Sequence, residues 1–280
     1  PHDLNGLIGQ CPRALYEMLF GAVSGTLTEF AANPRWLGGI AAFTLVLHTW
    51  KQDLARHVHL HALVPGGALS PDGDWIAAKR GFLFPIEALS SVFRGKFVAA
   101  LKRARQGGKL QQAGITDQAW RDSLSAVHRH AWVVYAKHSL GGPAQVLDYL
   151  GRYTHRVAIS NERILGMDAD TVRLRVRDSA HANRRRTLSV PAQTFIERFL
   201  LHVLPKGFKR IRHYGLLGPA RKAVKLAQAR AALSAPVPDP LVVESVEAFM
   251  HRIDRLDWMR CTHCGKGQFV PTAPIAPAPL

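Results

Sequence analysis

The chain has 280 residues, of which 37 are Lys or Arg and 20 Asp or Glu, for a formal net charge of +17. Its 47% hydrophobic content is enough for a sizeable core and excludes global disorder. No stretch reaches the roughly 18–20 consecutive apolar residues of a membrane-spanning helix, and three cysteines exclude a disulfide framework, which points to a compartment that is reducing or at least indifferent to redox. The charge favours polyanionic partners, nucleic acid first. The sequence opens on Pro1 without a signal- or transit-peptide pattern, as expected of a fragment.

In chain order, apolar spacing predicts a helix over Pro12–Ala32, closed by Asn33-Pro34. Strands are expected at Ala41–Trp50 and His57–Val64, followed by turns at Pro65-Gly66-Gly67 and Pro71-Asp72-Gly73. Helical periodicity returns from Pro85 to Arg105, a strand is expected at Ala131–Lys137, and a helix from about Ala144 to Tyr153. Three short strands follow, at Val157–Ser160, Thr171–Arg177 and Arg186–Val190; then come a helix from Pro191 to about Val203, a basic loop, and a helix over Pro219–Leu233. Pro236–Pro240 reads as a linker, and the Pro/Ala-rich end, Pro271–Leu280, as disordered. Hairpins and helices alternate without a βαβ rhythm, so the fold class is α+β. The expected organisation is a core over 1–190, a basic helical extension over 191–235, and a linker and tail over 236–280.

His57-Val58-His59-Leu60-His61 alternates with period two, so the imidazoles share one strand face and the apolar side chains the other. Neutral imidazole offers a lone pair at neutral pH, and two on neighbouring same-face positions can converge on one ion. A third ligand is needed: His48, on the preceding strand, or His57. Tyr149 and Tyr153 stand at i and i+4, on one face of the predicted helix, with Arg152, His155 and Arg156 beside them. A phenol becomes a useful nucleophile when a metal or cationic side chains stabilise the phenolate. Metal ligands, paired phenols and polyanion affinity in one chain point to phosphodiester cleavage through a covalent phosphotyrosine.

His59-Leu60-His61 resembles the His-hydrophobic-His motif of HUH endonucleases, and Tyr149-Leu-Gly-Arg-Tyr153 their two-tyrosine motif. The stretches Val46–Trp50, Val64–Gly67, Phe93–Phe97, Tyr149–Ser160 and Arg198–Phe208 are, in this order, similar to rolling-circle insertion-sequence transposases of the ninety-one type. The resemblance covers roughly Asn5 to Cys264. It implies an antiparallel sheet with helices packed on it, the histidine strand central and the tyrosine helix crossing its face. It places metal ligands at His59 and His61 with His48 as the third, and nucleophiles at Tyr149 and Tyr153. It further implies Mg²⁺ or Mn²⁺ as cofactor, single-stranded DNA at transposon ends as partner, and a bacterial, cytoplasmic, DNA-associated protein. Softness would favour Mn²⁺ over Mg²⁺ among imidazoles. Members of this group also carry an N-terminal cysteine-rich zinc module and an early strand, which are expected to be missing here. Val58 stands where they usually have Pro.

Two further segments bear on binding. Nine Lys or Arg and no acid lie between Arg198 and Pro238, and DNA contacts are expected from Lys206, Lys209, Arg210 and Arg212 together with Arg152 and Arg156. Cys261-Thr-His263-Cys264 has the spacing of half a zinc ribbon. The rival readings are a non-catalytic DNA-binding remnant and a metal-dependent hydrolase with structural tyrosines.

Overall fold

The computed structural model describes residues 2–79, 83–111, 114–129, 132–137, 140–154, 158–178, 184–220, 222–237, 244–253 and 260–269; for residues 2, 143, 152–154 and 178 only the backbone is described. The chain divides into two compact units, Pro1–Ala235 and Pro236–Leu280.

The first unit opens with α1 (Asn5–Gln10) and the long α2 (Pro12–Ala32). Pro12 sits at the start of α2, where its missing N–H costs nothing, and the helix stops at Asn33, whose extended ψ precedes Pro34. β1 (Ile40–Trp50) and β2 (Arg56–Leu63) form an antiparallel hairpin with Leu47 opposite Leu60 and His48 opposite His59. β3 (Gly67–Leu69) pairs with Ile40 and Ala41 of β1 and with β4 (Trp75–Ala77). Three helices follow: α3 (Ile86–Gln106), α4 (Asp117–Arg129) and α5 (Pro143–Thr154). A second sheet of β5 (Ile164–Asp168), β6 (Thr171–Asp178) and β7 (Arg184–Pro191) leads into α6 (Ala192–Leu200). The chain then returns to the first sheet with β8 (Ile211–Gly215), which pairs antiparallel with Ala42–Val46 of β1, and ends the unit with α7 (Lys222–Ala232).

The strand period decides the layers. Phe43, Leu45 and Leu47 of β1 point to one face, where they join Leu15, Phe20, Leu27, Phe97 and Leu101 of α2 and α3 in the main core, with Val58 and Leu60 of β2 packed against it. Burying a side chain such as Leu45 or Leu47 is worth about 1.5–3 kcal/mol, so the hairpin is held from its helical side. The opposite face carries Ala42, Thr44, Val46 and His48. A second core unites Val172, Leu174, Val176 and Val190 of the small sheet with Leu54, in the β1–β2 turn. Trp50, Phe195 and Phe199 pack against it.

Four local expectations change. β1, with β2 and β3 on one side and β8 on the other, is the central strand; among the described residues the histidine strand β2 pairs with β1 alone. Residues 132–137 form no strand: Val133 and Tyr135 are exposed, while Trp132 docks edge-on against Phe93 and its indole N–H donates to the Val127 carbonyl. Val157 lies outside the described residues and Ala158–Ser160 form no strand, the chain bending at Ala158 (φ 25°) so that the first strand of the small sheet starts later, at Ile164. The segment read as a basic loop contains β8.

In the second unit, α8 (Val246–Arg252) is capped by Ser245, whose Oγ accepts from the Ala248 N–H at 3.1 Å. A hairpin turn over 260–268 follows, bridged between Arg260 and Gln268. Residues 238–240 of the linker and the whole tail 271–280 lie outside the described residues.

Candidate metal and tyrosine site

The β1–β2 register brings three imidazoles to one face. His48 is directly opposite His59, and His61 follows two residues on, so nitrogen atoms of His48, His59 and His61 lie within 4.8 Å of one another. His57 shares the face but stays outside this group; its ring centroid is 4.9 Å from that of His59 and its carbonyl accepts from His59 Nδ1 at 3.0 Å. That bond fixes the His59 proton on Nδ1 and leaves a lone pair on Nε2. His59 Nε2 and His61 Nε2 are 3.1 Å apart, so His61 donates from Nε2. Its Nδ1, 3.0 Å from the Tyr149 hydroxyl, then accepts the phenolic proton. Tyr149 on α5 is thus joined to the histidines through one ring.

The donor set suits a divalent ion. Two cis ligands each about 2.1 Å from a common ion lie about 3.0 Å apart, close to the observed Nε2 separation. Two of the imidazoles, His59 and His61, are also held neutral, as ligands must be. Burial lowers the His59 pKa. His61 is lowered to about 3 by burial first, then by His48, His59 and the Lys137 ammonium. His48 is 5% exposed and stacks on Trp50, ring centroids 4.6 Å apart.

A supporting layer lies behind the ligands. Just past α6, His202 is buried; its Nδ1 is 3.1 Å from Thr49 Oγ1 and its Nε2–H donates to the Leu54 carbonyl at 2.9 Å. Trp50 meets the His202 ring edge-on at 6.0 Å. Arg198 donates to the Asp53 carbonyl at 3.0 Å, and Arg163 to that of Gln52, so the β1–β2 turn is gripped from α6 and from the turn before β5. The sequence signal for His202 was the Arg198–Phe208 stretch, which carried no role by itself. Lys137, in the segment expected as a strand, had no signal at all.

The remaining candidates are dispersed. The Tyr153 and Arg152 side chains and all of Arg156 fall outside what is described, although Tyr153 belongs to α5, one turn beyond Tyr149. Lys206 and Lys209 are exposed in the turn before β8, and Arg210 is half-buried. Arg212 makes two 2.6 Å bonds to Glu17 and lies over the rings of Phe20 and Phe208, at 4.3 and 4.9 Å. In the second unit, Cys264 Sγ accepts from the Gly267 N–H at 3.3 Å, and such bonds, with Cys261 alongside, lower its thiol pKa. Among the described residues this pair gathers no third ligand.

Comparison with known proteins settles the family. The profile of the family described as "Putative transposase" matches residues 42–224, spanning both histidine strands and the tyrosine helix. The chain belongs to this transposase family. It is 44% identical over 279 residues to "Putative transposase y4qJ" of Sinorhizobium fredii (strain NBRC 101917 / NGR234), covering 96% of this chain and 70% of that protein. It is 27% identical over 278 residues to "Transposase for insertion sequence element IS801" of Pseudomonas savastanoi pv. phaseolicola, covering 94% of this chain and 63% of that protein. The transposase sequence therefore spans about two thirds of the length of these relatives. No solved structure matches it. Among the described residues of the transposase no helix is long and apolar enough to cross a membrane.

Proposed function

We propose that this chain is an HUH-type nuclease that nicks and rejoins single-stranded DNA at the ends of a mobile element, with Tyr149 as a nucleophile. The observation that carries the reading is the 3.0 Å contact between the Tyr149 hydroxyl and a ring of the three-histidine cluster. His48, His59 and His61 would hold Mg²⁺ or Mn²⁺. Such an ion, when bound, polarises the scissile phosphate and offsets charge developing on it.

With His59 Nε2 and His61 Nε2 as ligands, neutral His61 would carry its proton on Nδ1 and donate to the Tyr149 oxygen, stabilising and aiming the phenolate left once the phenol has given its proton to water. Lys137 adds positive charge where the phosphate arrives. The phenolate oxygen bonds to phosphorus as the bond from phosphorus to the leaving 3′ oxygen breaks. The 5′-phosphate is then a tyrosyl ester and the released 3′ oxygen takes a proton from water. The ester conserves the bond, so attack by a 3′-hydroxyl reverses the step without ATP. Tyr153, one turn along α5, serves as the second nucleophile, which allows a second strand to be cut while the first is held.

Incubation with single-stranded oligonucleotides and Mn²⁺, followed by denaturing electrophoresis, tests this. The expected result is an SDS-stable protein–DNA adduct that is lost in the Tyr149→Phe, Tyr153→Phe double variant. Cleavage without an adduct would make the chain a metal-dependent hydrolase, and DNA binding without cleavage a non-catalytic remnant; either overturns the proposal.

A further inference from the structure

The second sheet has a face that the nicking chemistry does not use. Along β6, Val172, Leu174 and Val176 are buried in the second core, so the strand period sends Arg173, Arg175 and Arg177 to the opposite side, where all three are exposed. The β7 register sets Ser189 opposite Arg173, Thr187 opposite Arg175 and Arg185 opposite Arg177, and these too are exposed. Every one of these six side chains donates hydrogen bonds. The carboxylate that approaches them, Asp168 at the strand end, is 3.8 Å from Arg173; Arg175, Arg177 and Arg185 form no ion pair among the described residues.

A face that serves only solubility mixes both signs of charge. Here the register puts Arg185 directly across from Arg177, a like-charge pair that destabilises a sheet unless an anion sits between its members. Same-face strand residues recur about every 6.8 Å, so successive guanidinium groups stand far enough apart to meet separate phosphates. Guanidinium groups at that interval, interleaved with hydroxyls, suit the phosphates of an extended sugar–phosphate backbone.

The opposite face of the same sheet is packed on Leu54 and Trp50, at the end of β1 beyond His48. The arginine face is therefore carried on a body fixed to the histidine hairpin. We propose that Arg173, Arg175, Arg177 and Arg185, with Thr187 and Ser189, form a sequence-independent track for the single-stranded DNA backbone flanking the cleavage point. This rests on, and deepens, the reading of the chain as a single-strand nuclease.

The test is the salt dependence of binding, measured by fluorescence anisotropy with a labelled thirty-residue oligothymidylate at several NaCl concentrations without divalent ion. The Arg173→Gln, Arg175→Gln, Arg177→Gln triple variant should lower the magnitude of the log K against log salt slope by about 2, three contacts at about 0.7 each, and weaken binding at least tenfold at low salt. A triple Arg→Lys variant at the same positions should keep the slope, and each variant's fold is checked by circular dichroism. A control that removes equal charge from the helices, Lys102→Gln, Arg103→Gln, Arg121→Gln, should leave the slope within experimental error. An unchanged slope in the first variant, or an equal fall in the control, overturns the track. Adduct formation by the unaltered chain with Mn²⁺ is scored separately. An adduct with an unchanged slope sinks the track alone, and a reduced slope without an adduct sinks the nicking chemistry alone.

Discussion

His202 shows how a residue remote from the ligands sets their placement. Its two ring nitrogens tie Thr49 to the Leu54 carbonyl, and its neighbour Trp50 backs His48. Thr49→Val removes the hydroxyl and leaves a buried nitrogen unpaired, so it should cost about 1–3 kcal/mol in urea unfolding. It should also weaken Mn²⁺ binding about tenfold, the low end of losses from outer-shell changes, read by calorimetric titration. The His202 pKa is lowered, by burial first and by the Arg56 charge next. In the unfolded chain this imidazole takes a proton as pH falls through about 6.5, while the folded chain resists it. Stability contributed here is full above about pH 6.5 and is lost on acidification. Unfolding midpoints between pH 7.5 and 5.5 should fall, and fall less steeply in His202→Gln; equal slopes would remove His202 from the account.

At the scale of elements, β8 shows why the pattern of a strand can be invisible from within it. Ile211-Arg212-His213-Tyr214-Gly215 has two basic-type side chains in five and reads as loop. It is extended because β1 offers it an edge, because Arg212 finds Glu17 and two aromatic faces, and because the Tyr214 ring stacks on Phe43 at 5.2 Å. Gly215 ends the strand at φ 62°, where an added Cβ would collide with the Ala41 carbonyl. Gly215→Ala should therefore destabilise by at least about 3 kcal/mol in denaturant titration, beyond the usual cost of a left-handed non-glycine residue. Arg212→Lys keeps the charge but not the paired bonds or the stacking, and should cost about 1–2 kcal/mol by the same measurement.

Other elements were legible where burial imposes a period. α2, α3, β1 and β2 each have one apolar face against the main core, and the histidine alternation was readable for that reason. His48 could be placed only through pairing, since a strand sequence does not state its partner's register. The run Trp132-Val-Val-Tyr135 has strand composition but no pairing strand among the described residues, and its tryptophan packs on helix α3 instead. Composition described what those residues prefer; contacts decided what they do.

For the whole molecule, the partition after Ala235 predicts that a chain ended there still unfolds in one cooperative transition and binds Mn²⁺ with unchanged affinity, since His48, His59 and His61 and their supports all precede it. A loss of folding or of metal binding in that shortened chain would show that the second unit contributes to the first. The sheet carries a consequence for how the protein is made. Thr44 and its partner His213 are 169 positions apart, and among the described residues the edge of β1 opposite β2 is paired by β8. A nascent polypeptide leaving the ribosome can form the histidine hairpin early, but the strand on which the cluster is built stays open along one edge until most of the first unit has been synthesised. Contacts of such long sequence separation close slowly, so full order around the histidines arrives late in translation.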